Sequence, residues 1–355
     1  MSLKDILVCL TSPETAPGIL DAAVSLARRH EAHVTALHVS SLEWPLLAVD
    51  GFVSADTWQL ILDEAEQLAR EKAEQIRRVF DEVTRRENIQ AEWRLEEGLV
   101  AQVLVQQARY ADIAILGRSD EAGTEAELAE AVLFDAGRPV MLLPRTPPRG
   151  FGAQRVLIGW NGRREAARAV GDALPLIRAA EAVRVLSVYA RPEEQAASQV
   201  QTENIARHLA RHGAAVSVST AMLGSGLLAE DVLLNAAADL GADLLVIGGY
   251  GHGRVREVVL GGVTRSLLHS STIPVLLSHC PPSIITRRPA QSGSTAAAAG
   301  SHGVRSRRPQ PGRVAALFAQ RQCRGEQSQP HGGMVTHEMG SRATGLPREK
   351  WRALR

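Results

Sequence analysis

Short unbroken apolar runs alternate along the chain with longer stretches whose apolar residues recur every three or four positions. Residues 5–10, Asp-Ile-Leu-Val-Cys-Leu, have the first character, and a run of that length before a polar turn predicts a buried strand. Beyond the polar segment 11–15, Ile19, Ala22, Ala23, Leu26 and Ala27 fall on one helical face. Residues 33–39 predict a second strand. From about Ala55 to Glu87 a charged helix carries Ile61, Ala65, Leu68, Ala69, Ala73 and Ile76 along one side. A third strand is predicted at 91–95, a helix at 98–108, a strand buried on both faces at 112–117, a helix at 125–134 and a strand at 139–143.

The order then recurs. Strands are predicted at 155–160, 183–189, 215–221, 243–248 and 273–278, and helices at 165–177, 204–212, 227–240 and 255–268. The halves match in detail: Ala-Asp-Ile-Ala-Ile-Leu-Gly (111–117) faces Ala-Asp-Leu-Leu-Val-Ile-Gly (242–248), and Arg-Pro-Val-Met-Leu-Leu (138–143) faces Ile-Pro-Val-Leu-Leu-Ser (273–278). A repeat of roughly 140 residues is too long for a solenoid and means that a whole domain was duplicated. Strands alternating with helices imply parallel sheets wound right-handedly. The expected fold class is therefore α/β, with two tandem open parallel-sheet, Rossmann-like domains at 1–147 and 153–280. The segment 145–152, rich in Pro and Gly, reads as their linker.

Past Pro281 the periodicity stops, and residues 281–355 read as a basic, low-complexity, disordered tail. The net charge of +1 conceals this division: 281–355 hold 13 Lys and Arg against 3 acids, which leaves 27 against 36 in 1–280. An acidic body without a basic stripe argues against nucleic-acid binding except through the tail. No apolar run approaches the ~18–20 residues of a membrane span, and no secretory signal is read at the N-terminus, so the expected location is cytoplasmic. Cys9, Cys280 and Cys323 lie far apart, a spacing that supports neither a disulfide framework nor a zinc site.

The candidate chemistry lies at 247–265, Ile-Gly-Gly-Tyr-Gly-His-Gly-Arg-Val-Arg-Glu-Val-Val-Leu-Gly-Gly-Val-Thr-Arg. This glycine loop leaves the carboxyl end of a predicted parallel strand and enters a helix, the place where open α/β sheets bind ligands. Glycines allow the backbone to approach an anion, and the free N–H groups of a helix start favour phosphate. It is not a dinucleotide fingerprint, because position 254 is arginine where a third glycine would stand. No Gly-Lys-Ser/Thr of a P-loop is present either.

The spacing Gly248, two residues, Gly251, nine residues, Gly261 resembles the ATP-binding loop of the universal stress protein family, G-x2-G-x9-G-[S/T]. The order of elements agrees in both halves, so the chain resembles a tandem member of that family, whose domains have the adenine nucleotide alpha hydrolase-like fold with a five-stranded parallel sheet. The resemblance implies a stress-response protein that binds ATP or a related adenine nucleotide, with or without Mg2+, in its second domain. Phosphate contacts would come from Gly248, Gly251, Gly261, Gly262 and Val263, and the base and ribose would lie near Asn161 and Val188. Gly262 stands at the Ser/Thr place, so a hydroxyl is missing there while the N–H remains, and Thr264 is a nearby substitute. Asn161 replaces the family's first-strand aspartate, which keeps polarity but weakens any contact to a metal.

In the first half, Gly117 is followed by neither a second glycine nor a Gly-Ser/Thr pair. Thr11 stands at the aspartate place, and Asp120, Glu121, Glu125, Glu127 and Glu130 would repel a triphosphate. That half reads as a degenerate, non-binding partner domain. The chain is expected to form a homodimer or an intramolecular pseudo-dimer and to act on a protein partner that the sequence does not identify. Arg163, Arg164, Arg254 and Arg256 either reach phosphates or are solvated loop charges. His252, between glycines, reads as positional, and His208 with His212 as a helix-end pair that suits the dipole. No catalytic or metal-binding residue is assigned. The alternatives to a regulatory nucleotide binder are an ATP-hydrolysing enzyme of the same fold and a ligand-free interaction module.

Overall fold

The apolar runs become strands of one sheet. In β1 (Asp5–Cys9) every residue from Ile6 onward is buried, as an interior parallel strand with helices on both faces requires. The first half continues through α1 (Ala16–His30), β2 (His33–Ser40), α2 (Ala55–Glu87), β3 (Ala91–Glu97), α3 (Val100–Ala108), β4 (Ile113–Gly117), α4 (Thr124–Ala131) and β5 (Val140–Leu143). The second half runs β6 (Arg155–Gly159), α5 (Arg164–Asp172), α6 (Leu174–Ala179), β7 (Ala182–Tyr189), α7 (Gln195–Arg211), β8 (Val216–Met222), α8 (Ala229–Leu240), β9 (Leu244–Gly248), α9 (Gly262–Ser270) and β10 (Val275–Ser278). The computed structural model describes residues 3–41, 55–118, 124–148, 150–249 and 262–280, all within one unit spanning 1–286. The predicted tail at 281–355 lies outside the described residues.

Each half is a five-stranded parallel sheet, and the two are continuous. The strand order is β3-β2-β1-β4-β5-β10-β9-β6-β7-β8, and the single antiparallel pairing among the described strands joins β5 to β10, with Val275 opposite Leu142 and Leu277 opposite Val140. Both joining strands are buried at all positions. Pairing them satisfies two rows of backbone N–H and C=O groups that would otherwise be open edges. An apolar cluster covers each face of the sheet and includes residues of both halves, Ile6, Ile115, Val156 and Val246 on one side and Leu7, Leu116, Leu157 and Leu245 on the other.

The duplicated Ala-Asp pairs have a structural role. Asp112 accepts hydrogen bonds from the backbone N–H of Lys4 at 2.7 Å and Asp5 at 3.1 Å. Asp243 does the same for Gln154 at 2.8 Å and Arg155 at 2.7 Å. Each carboxylate thus holds the start of its half's first strand.

Several boundaries differ from the sequence reading. The helix expected at 165–177 is broken at Ala173 into α5 and α6, and Pro175, which has no N–H to donate, sits in the first turn of α6. The helix expected from 204 begins at Gln195; only Thr202 and Leu209 are buried along it, so its periodicity is faint. The one expected at 125–134 ends as α4 at Ala131 and continues as a π-helical turn, Val132–Ala136, closed by Gly137 at a φ of 67°. The linker is no loose spacer: Phe151 and Gly152 are buried, and Arg29 donates to the Gly152 carbonyl at 2.8 Å. Among the described residues no helix is long and apolar enough to cross a membrane.

Candidate functional site

In the second half the chain passes from β6 outward through β7 and β8, then returns to place β9 on the other flank of β6. The carboxyl ends of β6 and β9 therefore meet at the topological switch point, where the sheet opens a crevice. Gly159 pairs with Ile247 at that edge, so Asn161 emerges from one side and Gly248 from the other.

Gly248 is required there by packing. A Cβ on it would lie 2.4 Å from the Ala166 nitrogen, 2.5 Å from the Glu165 carbonyl carbon and 2.8 Å from the Glu165 oxygen. The end of β9 thus rests directly on the backbone of the first turn of α5. Gly249 continues the edge, donating to the Ser278 carbonyl at 2.8 Å, while the His279 ring donates from Nδ1 to the Gly249 carbonyl at 3.2 Å. Beside this edge the Trp160 indole nitrogen and the Ser278 hydroxyl are buried without a hydrogen-bond partner among the described residues.

Asn161 is exposed, and its Oδ1 accepts the Arg163 N–H at 3.0 Å, which bends the chain into α5. Gly162 completes the bend at a φ of 69°. Val188 and Val263 are half-buried against the same apolar cluster, on the face of the sheet that carries α8 and α9. Gly262 is exposed at the N-terminus of α9, with nothing among the described residues within 4 Å of the place a Cβ would take. Thr264 lies in the first turn of α9 and is buried to 5% exposure. Gly251, Gly261, His252, Arg254 and Arg256 lie outside the described residues.

The two arginines that follow Asn161 differ. Arg164 is tied to Glu165 by a 2.6 Å ion pair, and Glu165 is almost wholly buried. Burial pushes the Glu165 carboxyl up, but the Arg164 hydrogen bond, a backbone hydrogen bond and the nearby His279 together hold it below the usual carboxylate value. Arg164 therefore belongs to an ion pair at the start of α5 instead of being a simple solvated charge. Arg163 contributes its backbone N–H to the Asn161 turn. His208 and His212 stack edge to face with ring centroids 4.7 Å apart.

The first half places its equivalents differently. Gly117 ends β4, but a Cβ there would meet the Ile19 side chain, with Cδ1 at 2.3 Å, and no backbone. Thr11 donates to Glu125 at 3.4 Å, and Glu125 is buried at 5% exposure. Arg118, next after Gly117, reaches across to the second half and donates to the Ser271 carbonyl at 2.6 Å, just past the end of α9. Asp120 and Glu121 lie outside the described residues. Sequence reasoning missed a cavity of about 870 Å3 in the first half, between the ends of β1 and β2, the helix α2 and the first turns of α4. Its one signal was the apolar stripe Ile61, Ala65, Leu68 on a helix otherwise covered in charge.

A family model described as the universal stress protein family matches residues 2–144 and again 152–279. A universal stress protein of Synechocystis sp. is 40% identical over 48 residues, a stretch that spans 14% of this chain and 17% of that protein. Among solved structures, a universal stress protein from Archaeoglobus fulgidus is similar with a TM-score of 0.54 at 18% identity, over 77% of this chain and 96% of that one. One from Pseudomonas aeruginosa has a TM-score of 0.51 at 16% identity, over 78% of this chain and 93% of that one. At such identities the structural likeness speaks for the fold.

Proposed function

The chain belongs to the universal stress protein family, and from that premise we propose that it is a stress-response module whose second half, 153–280, binds ATP or a related adenine nucleotide. The observation that carries this reading is Gly248, pressed backbone to backbone on α5 at the switch point between β6 and β9. In the sequence the glycine-rich segment joins this strand end to the N-terminus of α9. At that terminus Gly262 has no side chain and is exposed. Free N–H groups at a helix start attract phosphate oxygens.

In this reading the N–H groups of Gly248, Gly251, Gly261, Gly262 and Val263 hold the phosphates. Val188 offers an apolar wall to the base, and the exposed Asn161 amide, whose oxygen is taken by Arg163, presents its NH2 to ribose or base. The orphaned Trp160 N–H and Ser278 hydroxyl are buried polar groups at the same edge, the kind that a bound polar ligand or water satisfies. Mg2+ would be carried by the phosphates, since an amide already accepting a hydrogen bond is a poor ligand for a hard cation. The first half serves as the internal partner through the β5–β10 seam, and nucleotide occupancy biases a surface offered to a protein partner.

Calorimetric titration with ATP tests this. The full chain should bind, and Gly262→Ser should bind more tightly by about 0.5–1.5 kcal/mol, because the hydroxyl adds a hydrogen bond at an exposed position. Gly261→Val should abolish binding. Failure of the full chain to bind at about millimolar ATP, ~4 kcal/mol of affinity, would overturn the reading.

A further inference from the structure

The 870 Å3 cavity of the first half has the size of an ordinary small-molecule site, ~300–1,000 Å3, and its lining is of two kinds. One part is apolar: Ile61, Ala65 and Leu68 of α2, with Val100 and Leu128. Leu68 is 60% exposed, a large side chain that the fold itself leaves unburied. The other part is polar and centres on Glu125, in the first turn of α4.

Glu125 is 5% exposed, yet among the described residues it accepts only the long 3.4 Å hydrogen bond from Thr11. A carboxylate can accept about four, and since neither Glu125 oxygen is among the sealed, unpartnered buried atoms, its unused acceptor sites open on the cavity it lines. The guanidinium of Arg118 acts on it electrostatically, while its Nη1 donates to the Ser271 carbonyl. The neighbouring Cys9 offers no compensating charge: burial, and then the negative charge of Glu125, push its thiol up to about 12, so it stays neutral. Of the two cations lining the cavity, Lys72 is opposed by Glu14 and Arg145 has a partner of its own. Phosphate would meet Glu14, Glu64 and Glu125 in the same lining. Of the three carboxylates lining the cavity Glu125 is the buried one, and a cation there would fill its unused acceptor sites.

We propose that this cavity binds a small organic cation, a primary amine on an apolar body, with its ammonium at Glu125 and its body along the Ile61–Leu68 face of α2. The first half is then a second ligand site with a chemistry opposite to that of the glycine loop, and its occupancy does not depend on nucleotide binding.

The test is calorimetric titration of the full chain with octylammonium and, separately, with octanoate of equal chain length. Octylammonium should saturate one site per chain, with octanoate at least ~10-fold weaker. Glu125→Gln should cost octylammonium at least ~10-fold, the scale of a charge-assisted hydrogen bond. Leu68→Ser, at an exposed position that folding tolerates, should weaken octylammonium as well, and keeps the test decisive should Glu125→Gln fail to fold. Saturating ATP should leave the isotherm unchanged. Equal binding of octanoate, wild-type affinity in the variants, or displacement of the amine by ATP would overturn the proposal.

Discussion

Replacing Gly248 with alanine adds one methyl group at a place where the neighbour is main chain. The new carbon would sit 2.4 Å from the Ala166 nitrogen and 2.5 Å from the Glu165 carbonyl carbon, roughly 1 Å inside the ~3.5 Å at which such atoms rest. No rotamer change can relieve it, so α5 must shift or β9 must fray. Both are anchored: Leu244 to Val246 are fully buried, and Glu165 and Ala166 are buried in the helix. Overpacking of this kind costs about 1–3 kcal/mol, and a backbone neighbour puts Gly248→Ala near the top of that range. Gly117→Ala meets only the outer atoms of Ile19 and should cost about half as much. A double-mutant cycle separates the two mechanisms. Ile19→Ala combined with Gly117→Ala should cost less than the sum of the single changes by about 1 kcal/mol, because truncation removes the clash. Urea unfolding, with midpoint and slope fitted for each variant, measures both. A Gly248→Ala variant as stable as wild type, or a strictly additive cycle at Gly117, would refute the reasoning from close approach.

Three further outcomes are expected. Arg118→Met should lower the unfolding free energy by about 1.5–3 kcal/mol, the worth of a charged donor on the Ser271 carbonyl, and should weaken ATP binding by loosening the far end of α9; unchanged ATP affinity would mean that the contact only staples the halves together. Burial lowers the pKa of His38 from its ordinary 6.5, more strongly than the Leu10 carbonyl, accepting its Nδ1–H at 2.8 Å, restores it. The folded state therefore binds fewer protons than the unfolded one, so stability is complete above about pH 6.5 and is lost as pH falls below it; His38→Asn, which keeps a donor near the Leu10 carbonyl, should flatten that loss between about pH 7.5 and 5.5 in urea melts. Asn161→Asp should leave the fold intact, since Oδ1 still accepts the Arg163 N–H, and should make ATP binding more dependent on Mg2+ in calorimetry.

The duplication was legible because both copies of the buried strand pair, 111–117 and 242–248, carry the same Ala-Asp opening, and the structure gives that aspartate one task twice. Element types followed from periodicity wherever a face is strongly buried. They blurred where it is not, as in α7, whose start at Gln195 leaves no apolar stripe to read. The β5–β10 seam was illegible in detail: a short run of Val and Leu states that a strand is buried and not which strand it meets. Within the candidate site, the placing of Asn161 and Gly248 at one sheet edge follows from strand order. The backbone contact of Gly248 does not, since sequence shows a glycine and not its neighbour. Glu125 is the sharpest instance. Among other acids it read as one more charge repelling a triphosphate, and that reading does not show that the fold buries it beside Thr11 in the cavity of the first half.

The central claim is that one half of a duplicated fold holds a nucleotide and the other does not. Native mass spectrometry of the full chain titrated with ATP counts the bound molecules directly. One nucleotide per chain, lost in Gly261→Val, is the predicted result; two per chain, or none at about millimolar ATP, ~4 kcal/mol of affinity, would contradict it.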